Sequence, residues 1–323
     1  MILPDNITLK VPATSANLGP GFDLFGLALQ AYSTFQISFQ YENKFEIFDL
    51  NNRQKIDIPE KSNLVRKAFL RTLGKRESPG MQMLYTSDLP TSSGFGSSAS
   101  ALVAGVAAGS YFLKKNQSAA LSLQEELEIL TELEGHPDNV CPARLGGFIF
   151  SSLQSDGKIR YIKKSLPQDL GLAVIIPHYR VSTKKSRSKL PKKYGMNDII
   201  SNLKGTIHWM EYLNTGNQDD LLQAIHLDRI HEPYRSKNIP GYFKLQKSLK
   251  DLGCHGTTIS GSGPGILVYF PQNIKNELIH NIKSIVNRDL QLNQNTDSVK
   301  FTEPDYTGLI INENLPAAAS CEN

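Results

Sequence analysis

The chain has 323 residues, with 35 Lys and Arg against 31 Asp and Glu, a formal net charge of +4. At ~150 residues per domain this length predicts two domains. The charge excess is too small for a dedicated nucleic-acid binder, and Gly (24) and Pro (17) stand at ordinary levels, which excludes collagen-like and largely disordered chains.

The longest near-apolar stretch, residues 99–113, is rich in Ala, Gly and Ser and short of the ~20 residues that span a bilayer. The opening Met1-Ile-Leu-Pro-Asp-Asn6 lacks the basic region and cleavage site of a secretory signal. Cys141, Cys254 and Cys321 are far apart and form no C-x-x-C pair, which fits a reducing compartment and gives neither a disulfide framework nor a zinc site. The expectation is a cytoplasmic enzyme with no membrane and no nucleic-acid partner.

In chain order, residues 7–11 alternate as a strand and run into the turn-rich Pro12-Ala-Thr-Ser-Ala-Asn17-Leu-Gly-Pro-Gly-Phe-Asp23. Residues 24–29, 34–39 and 45–50 read as further strands. A helix follows over 63–73, with Ser62 as its cap and Gly74 as its stop. Residues 81–85 form a strand before Pro90, and 97–113 a helix of small residues. Ser122 and Glu125 make a capping box for a helix whose stripe is Leu123, Leu127 and Leu130 and whose stop is Gly135. After a strand at 147–153, the polar residues 154–160 are the expected seam between domains. A strand at 172–176, helices near 198–213, 221–230 and 242–252, a tight strand–loop–strand through Gly261-Ser-Gly-Pro-Gly265 and a helix near 274–286 complete an α+β chain without repeats. The predicted division is 1–160 and 161–315, with 316–323 a loose tail.

The strongest signal is Pro90-Thr-Ser-Ser-Gly-Phe-Gly-Ser-Ser-Ala-Ser100. Gly94 and Gly96 allow close backbone approach just before a helix start, where unpaired amides and the positive dipole end converge on an anion. Ser97 and Ser98 add hydroxyls for a phosphate oxygen or a magnesium ion. The segment is not a Walker loop, lacks the acid ~20 residues on that a dinucleotide fingerprint requires, and has no protein-kinase H-R-D or D-F-G partners. Taken alone, it could also be a Gly/Ser turn before a closely packed helix.

Three separated segments in order, residues 12–23, Pro90-x-x-x-Gly94-x-Gly96-Ser97-Ser98-Ala99 and Ile259-Ser-Gly-Ser-Gly-Pro-Gly265, resemble the GHMP small-molecule kinase family. The closest resemblance is to its homoserine kinases, through Glu134-Gly-His-Pro-Asp-Asn139, Ser182-Thr-Lys-Lys-Ser-Arg187 and Glu232-Pro-Tyr-Arg235. Ser93, where a basic residue is common, and Phe95, where Leu is usual, depart from the pattern. The resemblance implies an N-terminal domain like the second domain of ribosomal protein S5 and a ferredoxin-like C-terminal domain. It further implies ATP with Mg2+, L-homoserine as the small-molecule substrate on the way to threonine, and possible homodimers.

The same resemblance assigns roles. Pro90, Ser92, Ser93, Gly94, Phe95, Gly96, Ser97, Ser98, Ala99 and Ser100 would surround the nucleotide phosphates, with Asn63 on the adenosine side. Ser98 and Glu134 would hold the magnesium. Asn17, Asp23, His136, Asn139, Thr183, Arg187 and Arg235 would hold homoserine, with Asp23 and Asn139 closest to the chemistry. The residues themselves leave blander readings open. Asn17 suits an Asx turn, Glu134 a solvated acidic face, and the six basic residues within 184–193 a solvated face or flexible loop. A kinase acting on a mevalonate-type alcohol and a catalytically silent member of the fold are the alternatives, with a dinucleotide-dependent oxidoreductase more distant.

Overall fold

The computed structural model describes residues 2–4, 6–42, 44–179, 181, 183–292 and 298–313. The expected tail 316–323, with Cys321, lies outside the described residues, as do the side chains of Thr183 and Lys184.

The first sheet is formed by β1 (Ile7–Ala16), β2 (Phe25–Gln40), β3 (Phe45–Asp49), β4 (Gly80–Ser87), β5 (Phe148–Leu153), β6 (Ile159–Lys164) and β11 (Ile310–Glu313). Its main path runs β11-β1-β2-β4-β3, and β5 pairs with both β2 and β6. Among the described residues only β3 and β4 pair in parallel there. Against it pack α1 (Leu64–Leu73), α2 (Ser97–Lys115), α3 (Leu123–Glu134) and α4 (Pro137–Leu145). A second antiparallel sheet, β10-β7-β9-β8, uses β7 (Leu170–Ile175), β8 (Gly256–Ile259), β9 (Ile266–Pro271) and β10 (Val299–Thr302). Its helices are α5 (Thr183–Ser188), α6 (Met196–Thr215), α7 (Gln218–His226), α8 (Glu232–Arg235), α9 (Tyr242–Asp251) and α10 (Lys275–Asp289).

Three apolar clusters hold these layers. One joins the first sheet to α1–α4 around Phe69, Met83 and Leu130, and one joins the two sheets through Phe25, Phe148, Trp209 and Tyr269. The third packs α9 and α10 on the second sheet through Leu245, Ile282 and Phe270. The small residues of α2 have a packing cause. A Cβ at Gly105 would stand 2.3 Å from the Val65 carbonyl oxygen, so only glycine lets α1 lie this close.

The α+β organisation is as expected, and several details differ. The first strand continues through Pro12 to Ala16, with a register shift at Pro12/Ala13 that accommodates the missing donor. The strands expected at 24–29 and 34–39 are one long β2. Asn63, not Ser62, caps α1, its side chain accepting from the Arg66 amide at 2.9 Å. The capping box on α3 forms as read, but Leu123 stays 37 % exposed while Leu127 and Leu130 are buried. The expected seam at 154–160 is a hairpin. Gln154 and Lys158 close it, and β6 pairs back on β5, so the first sheet extends through a division at 160/161 to Lys164 and regains the chain at β11. The basic run begins in a helix, α5.

Candidate active site

Gly94 (φ 93°) and Gly96 (φ 70°) adopt the left-handed backbone that the phosphate-loop reading requires, and Gly96 caps the N-terminus of α2. The loop is fixed from three directions. Thr14 N donates to the Phe95 carbonyl, Ser260 Oγ donates to the Gly94 carbonyl at 2.7 Å, and Gly265 lies against the Phe95 ring. The amides at the start of α2 therefore open into a cavity of about 670 Å³.

That cavity brings together most of the residues singled out from the sequence. Asn17, Asp23, Asn63, Ser92, Gly94, Gly96, Ser97, Ser98, Glu134, His136, Asn139, Arg187 and Arg235 all border it. Pro90, Ser93, Phe95, Ala99 and Ser100 do not border it. Phe95 is 2 % exposed in the inter-sheet core, and the Ser100 hydroxyl turns back to the Gly96 carbonyl at 3.2 Å. The side chains of Ser93 and Ala99 are buried too, and Pro90 is exposed. The departure at Phe95 is thus a core substitution. Thr183 opens α5, and its side chain lies outside the described residues.

At the phosphate end, Ser98 Oγ donates to Glu134 Oε2 at 2.7 Å. Glu134 ends α3, where the helix dipole disfavours a carboxylate. Burial pushes its carboxyl above the usual range, with the Ser98 hydroxyl opposing. A half-buried carboxylate beside a hydroxyl is a hard-oxygen pair suited to Mg2+. The helix α4, not foreseen because its sequence holds two prolines, begins one residue after His136. Pro137 sits in its first turn, where no amide donor is needed. His136 Nδ1 hydrogen-bonds Asp138 Oδ1. Burial works against protonation of that imidazole, but Asp138 outweighs it, aided by Asp23 and Glu134, so its pKa is raised. Asp23, His136 and Asp138 bring ligand-type atoms within 4.8 Å of one another. Asn139 accepts from Thr14 Oγ1 at 2.8 Å and donates to Asp138 Oδ1 at 3.2 Å.

The other polar wall is cationic. Arg187 Nη2 meets Asp23 Oδ1 at 2.5 Å, and the Arg187 and Arg235 guanidinium groups each lie 5.2 Å from the Phe22 ring. Arg235 is 4 % exposed. Burial lowers its pKa, Nη1 donates to the Gly261 carbonyl at 2.6 Å, and Nε is buried without a partner among the described residues. Gly261 is a meeting point, since its carbonyl also accepts from Asn17 Nδ2 at 3.1 Å. Asn17 Oδ1 in turn accepts from Asp23 N at 3.0 Å, six residues on, so Asn17 closes a wider loop than an Asx turn and borders the cavity as well. Glu232 accepts from Ile259 N at 2.6 Å and so ties α8, which ends in Arg235, to the strand leading into Gly261.

Sequence reasoning missed the support beneath this wall. Asn17, Leu18 and Gly19 all have positive φ, and three consecutive carbonyls after Asn17 are each held from the second half of the chain. Trp209 Nε1 donates to Leu18, His231 Nε2 to Gly19 at 2.8 Å, and Asn202 Nδ2 to Pro20 at 3.1 Å. It also missed the apolar end of the cavity, formed by Ile47, Ile56, Leu64, Met83 and Tyr85.

Comparison with known proteins decides the family. The model described as "GHMP kinases N terminal domain" matches residues 63–147, and "GHMP kinases C terminal" matches 209–287. The homoserine kinase of Caldicellulosiruptor saccharolyticus is 34 % identical over 269 residues, 83 % of this chain and 85 % of that protein. The chain belongs to the GHMP kinase family. The homoserine kinase of Clostridium kluyveri is 32 % identical over 308 residues, 94 % of this chain and 98 % of its own length. The crystal structure of homoserine kinase from Cytophaga hutchinsonii superposes with a TM-score of 0.79 at 26 % identity, covering 96 % of this chain and 98 % of that one. The two-sheet arrangement described above is therefore the GHMP kinase fold, and the chain is a phosphotransferase of that family. Among the described residues no helix is long and apolar enough to cross a membrane.

Proposed function

We propose that this GHMP kinase transfers the γ-phosphoryl group of ATP to the side-chain hydroxyl of L-homoserine, giving O-phospho-L-homoserine and ADP, a step toward threonine. The observation that carries the substrate is the placement of Arg187, paired with Asp23, and of Arg235 at the end of the cavity that also holds the α2 amides. Two guanidinium groups fit an α-carboxylate through parallel N–H bonds, and the Asp23, His136 and Asp138 cluster fits an α-ammonium. A zwitterionic amino acid satisfies both, whereas a mevalonate-type acid has no ammonium to offer.

The apolar end near Ile47, Met83 and Tyr85 accepts the base, with Asn63 at its rim although its side-chain oxygen is engaged in capping α1. The backbone at residues 94–98 and the Ser97 and Ser98 hydroxyls hold the phosphates. Ser98 and Glu134 would hold Mg2+, which neutralises phosphate charge when bound. Phosphoryl transfer passes through a loose transition state, so alignment of the hydroxyl by Asn17, Asp23 and Asn139 contributes most of what the acceptor side needs. Thr183 stands at the start of α5 beside this wall and is assigned to the substrate with Arg187. We place the enzyme in the cytoplasm, in keeping with its unpaired, buried Cys141 and Cys254.

Coupled ADP release with Mg-ATP and L-homoserine, mevalonate or L-serine tests this reading. Turnover with homoserine is expected and the other two should be poor. Preference for mevalonate would discard the substrate, and no turnover with any of the three would favour a silent member of the fold.

A further inference from the structure

Phe22 does not border the cavity, yet both arginines of the cationic wall converge on its ring. Phe22 and Asp23 are the central residues of a turn that Leu24 N closes by donating to the Gly21 carbonyl at 3.0 Å. From that turn Asp23 pairs with Arg187, while the half-buried Phe22 ring lies 5.2 Å from the guanidinium carbons of Arg187 and Arg235 alike. The ring is itself braced. The His231 imidazole, wholly buried and tied to the Gly19 carbonyl, stands 5.5 Å from it.

Arg187 belongs to α5 and Arg235 to α8, so no local geometry of the chain sets their separation. With one ring centroid common to both, the two guanidinium carbons can be no further apart than twice 5.2 Å, and the like charges repel. Asp23 hydrogen-bonds Arg187, whereas Arg235 gives its Nη1 to a neutral carbonyl. A second carboxylate could hold the pair together only by taking up N–H donors. An aromatic ring attracts a cation through the quadrupole of its face and accepts no N–H···O bond, so the guanidinium forks stay available to a ligand. The unpartnered Nε of Arg235 among the described residues agrees with such a reserve of donors.

We propose that Phe22 is a specificity-determining positioning residue, whose ring gathers Arg187 and Arg235 to the spacing of one carboxylate while leaving their donors free for it. This rests on the amino-acid substrate proposed above. Phe22 acts through the arginines and touches no reacting atom.

Steady-state kinetics of F22L and F22Y test it, since leucine fills much of the volume without a π-face and tyrosine keeps one. F22L should raise the KM for L-homoserine roughly tenfold, the scale of a desolvated cation–π contact, with the KM for ATP unchanged. F22Y should retain most of the wild-type value. 3-Aminopropan-1-ol carries the ammonium and hydroxyl of homoserine without its carboxylate, so its inhibition constant against homoserine should be the same in F22L and wild type. In an R187A background F22L should cost less than it does alone, because one of its two dependants is gone. An F22L enzyme with unchanged homoserine KM, equal weakening of 3-aminopropan-1-ol, F22Y no better than F22L, or full additivity with R187A would overturn the proposal. A wild type that prefers mevalonate would fail the substrate reading instead. Mevalonate is also a carboxylate, so the same F22L shift is then expected in its KM, and its absence would overturn this inference too.

Discussion

The indole Nε1 of Trp209 donates to the carbonyl of Leu18 at 2.9 Å, joining residues 191 positions apart. Leu18 is a fully buried residue in a left-handed conformation (φ 51°), flanked by Asn17 and Gly19 in the same region, and Asp23 also has a positive φ. Such backbone is costly for residues other than glycine and persists only where the surroundings hold it. Trp209, His231 and Asn202 supply that hold, one carbonyl each, and thereby set where Asn17 and Asp23 face the cavity.

Replacing Trp209 by Phe keeps most of the packing and removes the donor. A buried carbonyl without its partner costs about 1–3 kcal/mol, so the melting temperature should fall by a few degrees. The kinetic signature separates positioning from general loosening. W209F should raise the KM for homoserine several-fold and leave the KM for ATP near its wild-type value. H231L should behave alike, and H231Q, which retains an N–H donor, should recover part of the loss. Equal rises in both KM values would contradict a role specific to the acceptor loop.

Glu134 gives a pH dependence of defined sign. Burial raises its folded pKa above the ordinary 4.5. Its contribution to stability is therefore fully present below 4.5 and is lost as pH rises through the folded value. Mg2+ binding requires the ionised form, so magnesium should stabilise more strongly as pH climbs through that same window. Melting temperatures of wild type and E134Q, with and without Mg-ATP, would check this. The difference curve isolates Glu134 from His136, whose pKa is also raised. E134Q should lose the pH-dependent decline and most of the turnover.

Arg187 and Arg235 are distinguishable by their burial. The Arg187–Asp23 pair is partly open to solvent, with side chains 45 % and 31 % exposed, so R187A should change stability by less than about 1 kcal/mol. Its effect belongs in the KM for homoserine, which should rise on the order of 10–100-fold for a lost charge-assisted bond. Arg235 is buried and tied to Gly261, so R235A should affect both KM and melting temperature. R187K should not restore binding, because a lysine offers no planar fork. An R187A enzyme with unchanged homoserine KM would remove this residue from the substrate site.

Local chemistry made part of this legible in the sequence. The Gly94–Gly96 turn before α2, the Ser122–Glu125 capping box and Glu134 at the end of α3 follow from near neighbours in the chain, and all three appear in the fold. What escaped was either masked by proline or carried by distant pairing. The prolines at 137 and 142 hid α4, although the first is compatible with a first turn. The pairings of β6 with β5 and of β11 with β1 depend on strand register rather than composition, so a polar hairpin looked like a seam. Trp209 is the only tryptophan in the chain, and that isolation was a usable signal. Its partner, a carbonyl in a loop near the other terminus, has no signature in sequence.

The phosphate loop can be tested by a glycine whose side chain would have nowhere to go. A Cβ on Gly96 would lie 2.0 Å from Thr14 Oγ1 and 3.2 Å from Asn139 Oδ1, on a residue with φ 70°. G96A must therefore displace Thr14, break its 2.8 Å bond to Asn139 and strain the N-cap of α2 at once. Gly157, in the turn between β5 and β6, provides the control. It also has positive φ, but a Cβ there meets nothing within 4 Å, so G157A carries only the roughly 1–2 kcal/mol conformational cost. Calorimetric titration with Mg-ATP should show G96A weakened at least tenfold and G157A binding like wild type. Because α2 presents its first amides at that turn, wild-type ATP affinity in G96A would mean that the triphosphate lies elsewhere.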